Sequence, residues 1–130
     1  MNVNLTLRVL SIKGNFIGDE GVAYIAEALE NNKQLQELDV SFNEIGPKGF
    51  SDLIRVLPNC NIISLLCNRN PLGDDCLIML STHISGQTTK LRRAELCTCK
   101  LSDKGFAHML QALQTNKLLS YNRTLITAET

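Results

Sequence analysis

A step of 27 to 29 residues runs through this chain and constrains its fold more than any other feature. The segment LRVLSIKGNFIGDEGVAYIAEAL begins at Leu7 and LQELDVSFNEIGPKGFSDLIRVL at Leu35. IISLLCNRNPLGDDCLIMLSTHI begins at Ile62 and LRRAELCTCKLSDKGFAHMLQAL at Leu91. A fixed period of this size marks stacked supersecondary units, each unable to bury its own apolar face alone. Local motifs therefore have to be judged against the repeat.

Numbered from these starts, the units share one pattern. Position 4 is Leu10, Leu38, Leu65 and Ala94, and position 6 is Ile12, Val40, Cys67 and Leu96. A spacing of two is strand periodicity, so both positions point to one face. Position 9 is Asn15, Asn43, Asn70 and Cys99; position 11 is Ile17, Ile45, Leu72 and Leu101, followed by Gly18, Gly46, Gly73 and Ser102. A helix follows, its buried stripe expected at Ile25, Ala28 and Leu29, then Leu53, Val56 and Leu57, then Met109, Ala112 and Leu113. Each unit reads as strand, turn and helix.

The run LxxLxLxxNxIGxxG followed by an amphipathic helix resembles the leucine-rich repeats of the ribonuclease-inhibitor type, over roughly residues 5 to 117. The resemblance implies an α/β solenoid, a short horseshoe with parallel strands on the concave face and helices on the convex face. It places one domain over 1–130, with repeats at about 7–34, 35–61, 62–90 and 91–118 and a degenerate terminal strand in 119–130. In the last segment Asn122 and Thr124 fall where apolar positions 4 and 6 belong. The resemblance also implies that Asn15, Asn43 and Asn70 bond neighbouring turns as a ladder, interrupted at Cys99. Gly18, Gly46 and Gly73 are expected to give a positive φ before each helix.

The glycines do not make a phosphate loop. GNFIGDEG has neither the Gly-Lys-Ser/Thr ending nor GxGxxG, and Asp19 and Glu20 would repel an anion at that helix start. These acids are expected instead to complement the helix dipole. The five cysteines, an odd number, point to free thiols in a reducing compartment and a cytoplasmic location. Cys97-Thr98-Cys99 is a lone C-x-C, short of the four ligands of a structural zinc site. Cys97 and His108 belong to opposite faces of one unit, and His83 is expected at a helix edge pushed outward. The expectation is therefore no catalytic residue, no metal and no cofactor.

Thirteen basic residues balance thirteen acidic ones, so no net field favours nucleic acid or a membrane surface. The absence of Trp removes a common stacking platform for bases. What remains is a protein partner of unknown identity. Strand residues not needed for stacking are the candidates for it: Glu37, Asp39, Phe42, Leu66, Arg69, Arg93 and Glu95. Leu7 opens a strand with no helix before it, which leaves open self-association or continuation of a longer array through that end. The expected function is a non-catalytic protein-interaction module or scaffold. The alternative is a regulator of a small GTPase, since the repeats also resemble those of the Ran GTPase-activating protein.

Overall fold

The computed structural model describes residues 6–86, 90–114 and 125–129. Among these residues five short strands, β1 (Val9–Ser11), β2 (Glu37–Asp39), β3 (Ser64–Leu66), β4 (Arg93–Glu95) and β5 (Leu125–Thr127), form one sheet in sequence order. Every pairing is parallel. Between them lie α1 (Gly18–Asn31), α2 (Pro47–Val56), α3 (Asp74–Gly86) and α4 (Asp103–Gln114), and a 3-10 turn (Leu57–Asn59) extends α2. Strand order equal to chain order, with a helix in each of the first four connections, is a leucine-rich-repeat solenoid.

The period sets the register. Leu10, Leu38, Leu65 and Ala94 stand side by side at position 4. From β2 onward they are closed from solvent, as are Val40, Cys67 and Leu96 at position 6. Leu35, Ile62 and Leu91 at position 1 and Ile45, Leu72 and Leu101 at position 11 complete a core that runs between sheet and helices.

Position 9 builds the expected ladder. Asn43 accepts the Asn15 amide at 2.8 Å on its Oδ1 and donates through Nδ2 to the carbonyls of Ile12, Val40 and Ser41. Asn70 repeats the arrangement one unit on, accepting the amides of Asn43 at 2.9 Å and Ile45 at 3.1 Å. Each side chain thus satisfies backbone groups that stacking would otherwise bury unpaired. Cys99 replaces the amide with a thiol that reaches the carbonyls of Cys67, at 3.2 Å, and Cys97, at 3.5 Å.

Several expectations are corrected. Gly18 and Gly73 do have positive φ, 62° and 76°, but Gly46 does not, its φ being −98°. Gly46 is where the chain approaches Asp19, whose Oδ1 accepts the amides of Gly46 at 2.7 Å and Gly49 at 3.1 Å. Asp19 therefore caps the helix of the next repeat as well as sitting in the first turn of its own. In α1 the buried stripe is Val22, Ala26 and Leu29, with Ile25 half-buried and Ala28 exposed. Ala28 lies on the solvent side of α1. Its counterparts Val56 and His83 are covered, so His83 is 5% exposed rather than pushed outward. The side chains of Ala112 and Leu113 lie outside the described residues, as do Asn122 and Thr124. In the observed register Ile126 pairs with Ala94, so position 4 of the last strand falls to Ile126, which is half-buried against the core.

Candidate concave binding face

Because position 4 is buried, positions 3 and 5 of each strand project from the opposite, concave face. The register joins Glu37, Ser64 and Arg93 in one row and Asp39, Leu66 and Glu95 in a second. Five of the seven candidate residues are thus brought together on three adjacent strands. Their charges are partly engaged within the chain. Arg93 pairs with Glu95, whose other oxygen accepts Asn68 Nδ2 at 2.9 Å. Asn68 Oδ1 in turn accepts the Cys97 amide at 2.8 Å. Asp39 accepts the Ser41 amide at 2.9 Å and the Ser11 hydroxyl at 3.5 Å. These contacts fix the carboxylates without removing them from the surface. The Ser64 hydroxyl, in the middle of the first row, is buried with no hydrogen-bond partner among the described residues.

Phe42 and Arg69 stand apart from these rows. Both belong to the turn after the strand, on the rim of the concave face, with φ of 57° and 55°. Gly14 and Thr98 occupy the same position in their repeats, at 76° and 57°. Phe42 is 48% exposed, and its ring lies 6.4 Å from that of Phe16, itself 67% exposed. Sequence reasoning missed Phe16, which joins Phe42, Glu44, Arg69 and Pro71 around a small depression of about 80 Å³. Its signal was available: it occupies position 10, a solvated slot filled by Glu44 and Lys100 in sister units. Ser41, by contrast, is buried, and its hydroxyl accepts the Asn68 amide at 3.1 Å, so it supports the face from beneath.

Other chemistry lies elsewhere. Cys97 is half-buried beside the concave rows, while His108 is exposed on α4. A larger cleft of about 570 Å³ opens on the convex face between α2 and α3, lined by Ile54, Pro58, Ile78 and Met79 among others. Among the described residues, no three His, Cys, Asp or Glu side chains converge as a metal site. None of the described helices is long and apolar enough to cross a membrane.

The parallel sheet, the alternating helices and the asparagine ladder define a repeat solenoid, and comparison with known proteins gives its family. The family model described as Leucine Rich repeat matches residues 3–26 and 31–53. Ribonuclease inhibitor from Sus scrofa is 29% identical over 116 residues, 88% of this chain and 25% of the inhibitor. Tonsoku-like protein from Bos taurus is 32% identical over 110 residues, 82% of this chain and 8% of that protein. Protein TORNADO 1 from Arabidopsis thaliana is 28% identical over 127 residues, 89% of this chain and 9% of that protein. This is a leucine-rich-repeat protein with repeats of the ribonuclease-inhibitor type. It spans a quarter or less of the length of each of these relatives.

Proposed function

We propose that this chain is a non-catalytic interaction module that captures a protein partner on its concave face and the adjoining rim. Glu37, Asp39, Leu66, Arg93 and Glu95 form the floor of this surface, and Phe42 and Arg69 its edge.

One observation carries the reading. Phe42 and Arg69 have a left-handed backbone that disfavours any side chain with a Cβ, by roughly 1 kcal/mol or more. Gly14 is the residue that local geometry alone would select there. A large aromatic and a guanidinium in its place serve something other than the turn. These are also the side-chain types that dominate protein interfaces. Ribonuclease inhibitor is, by its name, a protein that acts on another protein. Only protein binding, and not the identity of that partner, is carried over here.

Glycine at both positions supplies the test. Phe42→Gly with Arg69→Gly relieves the strained backbone while loosening the unfolded chain, so stability should stay within about 1 kcal/mol. Proteins cross-linked to the wild-type chain in cell extract should be lost from this variant. They should be lost equally from a combined change of Asp39, Leu66, Arg69 and Glu95. Retention of the same cross-linked proteins by both folded variants would overturn the reading.

A further inference from the structure

We propose that the sheet edge at which the strands begin is a second binding site, for an acidic peptide segment carrying an apolar side chain at its centre. The site is separate from the concave rows and does not depend on the reading given to them.

Its geometry follows from the backbone. Arg8, Gln36, Ile63 and Arg92 occupy position 2 of the four repeats. The Arg8 carbonyl accepts the amides of Gln36 at 2.8 Å and Glu37 at 2.9 Å. The Gln36 carbonyl likewise accepts Ile63 at 2.7 Å and Ser64 at 3.0 Å, and that of Ile63 accepts Arg92 at 2.7 Å and Arg93 at 3.1 Å. These paired bonds hold the four residues in a row across the sheet. A second tier comes from the connections entering the strands. Lys90 donates to Asn61 Oδ1, Asn61 Nδ2 donates to the Lys33 carbonyl at 2.7 Å, and Lys33 Nζ reaches the carbonyls of Glu30, at 3.1 Å, and Asn59.

The two tiers enclose a depression of about 400 Å³ whose lining, among the described residues, holds four cations and no carboxylate. The chain as a whole is neutral, so this local excess does not follow from composition. The acceptors holding the two lysines are a side-chain amide and backbone carbonyls, which position the ammonium groups without cancelling their charge. In the middle of the row Ile63 is 40% exposed, an apolar contact between charged ends.

Length and chemistry select the occupant. Arg8 and Arg92 are three strand steps apart, roughly 14 Å at the usual parallel spacing. An extended peptide crosses that distance in about four residues. Carboxylates near its ends would meet the arginines, and an apolar side chain between them would cover Ile63. A single-stranded nucleic acid would bring the same charge but would seek aromatic rings to stack on, and among the described residues the lining has none.

The test uses fluorescence anisotropy with a dye-labelled peptide of four glutamates around a central leucine. R8E with K90E should weaken its binding roughly tenfold or more, because two attractive contacts become repulsive. I63S should weaken it about threefold with the charge unchanged. K48E with K100E, which alters charge by the same amount away from this edge, should leave it unchanged. F42G with R69G should also leave it unchanged, which separates failure here from failure of the concave-face reading. Should R8E with K90E unfold by circular dichroism, R8Q with K90Q replaces it, with the same direction expected. Equal binding of a glutamine version of the peptide, or undiminished binding by the folded charge variant, overturns the proposal. Tighter binding of an oligonucleotide of equal charge also overturns it.

Discussion

Asp74 occupies the space that a Cβ on Gly105 would need: built there, the atom would lie 2.2 Å from Asp74 Oδ1 and 2.5 Å from its Cγ. The Asp74 carboxylate accepts the Ser102 amide at 2.8 Å and the Ser102 hydroxyl at 2.5 Å, so it caps α4 from the preceding repeat. These bonds hold its pKa below the ordinary carboxylate value of 3.8. Asp19 and Gly49 have the same relationship, with a Cβ on Gly49 falling 2.6 Å from Asp19 Oδ1. The third junction breaks the rule on both sides at once. Repeat two has Pro47 where the aspartate belongs, and repeat three has Cys76 where the glycine belongs. The convex cleft opens between these two helices.

The coupling is measurable as a double-mutant cycle. Asp19→Ala leaves two helix-start amides without their carboxylate and should cost about 1 to 2 kcal/mol. Gly49→Ala should cost more, since the new methyl meets the carboxylate and also lies 3.0 Å from Ile45 Cγ2 and 3.1 Å from the Asp19 Cα. The double variant should be destabilised by clearly less than the sum, because removing the carboxylate removes the worst clash. Urea unfolding of the four proteins decides it. Simple additivity would mean that the helix start moves aside instead.

The asparagine ladder predicts an order of stabilities. Asn70→Ala strands the amides of Asn43 and Ile45 and the carbonyls of Val40 and Cys67, for a loss of about 3 to 5 kcal/mol. Asn70→Cys should fall between wild type and alanine, because a thiol in the same slot of the next repeat still reaches a carbonyl. Denaturant midpoints in the order Asn, Cys, Ala support this. Equal midpoints for Cys and Ala would show that the Cys99 contact contributes nothing.

Positions that depend on local side-chain chemistry and on the period were legible in the sequence. The alternating apolar residues, the position-9 asparagines and the two charged concave rows all follow from a strand recurring every 27 to 29 residues. What was not legible depends on the neighbouring repeat. The Gly46 amide is held by Asp19 of the preceding repeat, and Ala28 is exposed where its counterpart Val56 is buried. The burial of His83 follows from the covering α2, and the last strand sits four residues later than the period places it. A trace of the first of these lay in the sequence. Aspartate at position 13 of one repeat goes with glycine at position 15 of the next, at 19 with 49 and at 74 with 105, and proline at 47 goes with cysteine at 76. The basic edge is not legible in the sequence because its residues are dispersed along the chain and cancel in the net charge.

All five cysteines are free, and they should differ sharply in reactivity. Cys60, Cys67, Cys76 and Cys99 are buried, and burial drives the Cys76 thiol up to about 12. Cys97 is half-buried, and desolvation, reinforced by Glu129 and Glu95, holds it above the ordinary value of 9.0. At neutral pH iodoacetamide should therefore label Cys97 slowly and the other four only in urea, as read by mass spectrometry. Labelling of Cys97 should quicken as the pH passes 9. Early modification of any buried thiol would mean that the core opens locally more often than its packing suggests.

His83 gives the chain an acid-sensitive element. It sits in the slot filled by Val56 one repeat earlier, and desolvation lowers its pKa below the unperturbed 6.5. Folding thus favours the neutral ring, and between the two pKa values the unfolded chain binds more protons than the folded one. The stability linked to this ring is fully present above 6.5 and is lost as the pH falls from there through the folded-state value. The ring lies beside the cleft between α2 and α3, and its burial there is what disfavours the charged form. Thermal melts from about pH 7 to about pH 5 should fall more steeply for the wild type than for His83→Val, by at most one proton, or about 1.4 kcal/mol per pH unit. Parallel curves would show that the ring gains its proton in the fold as readily as in the unfolded chain, and that the cleft between α2 and α3 admits water to it.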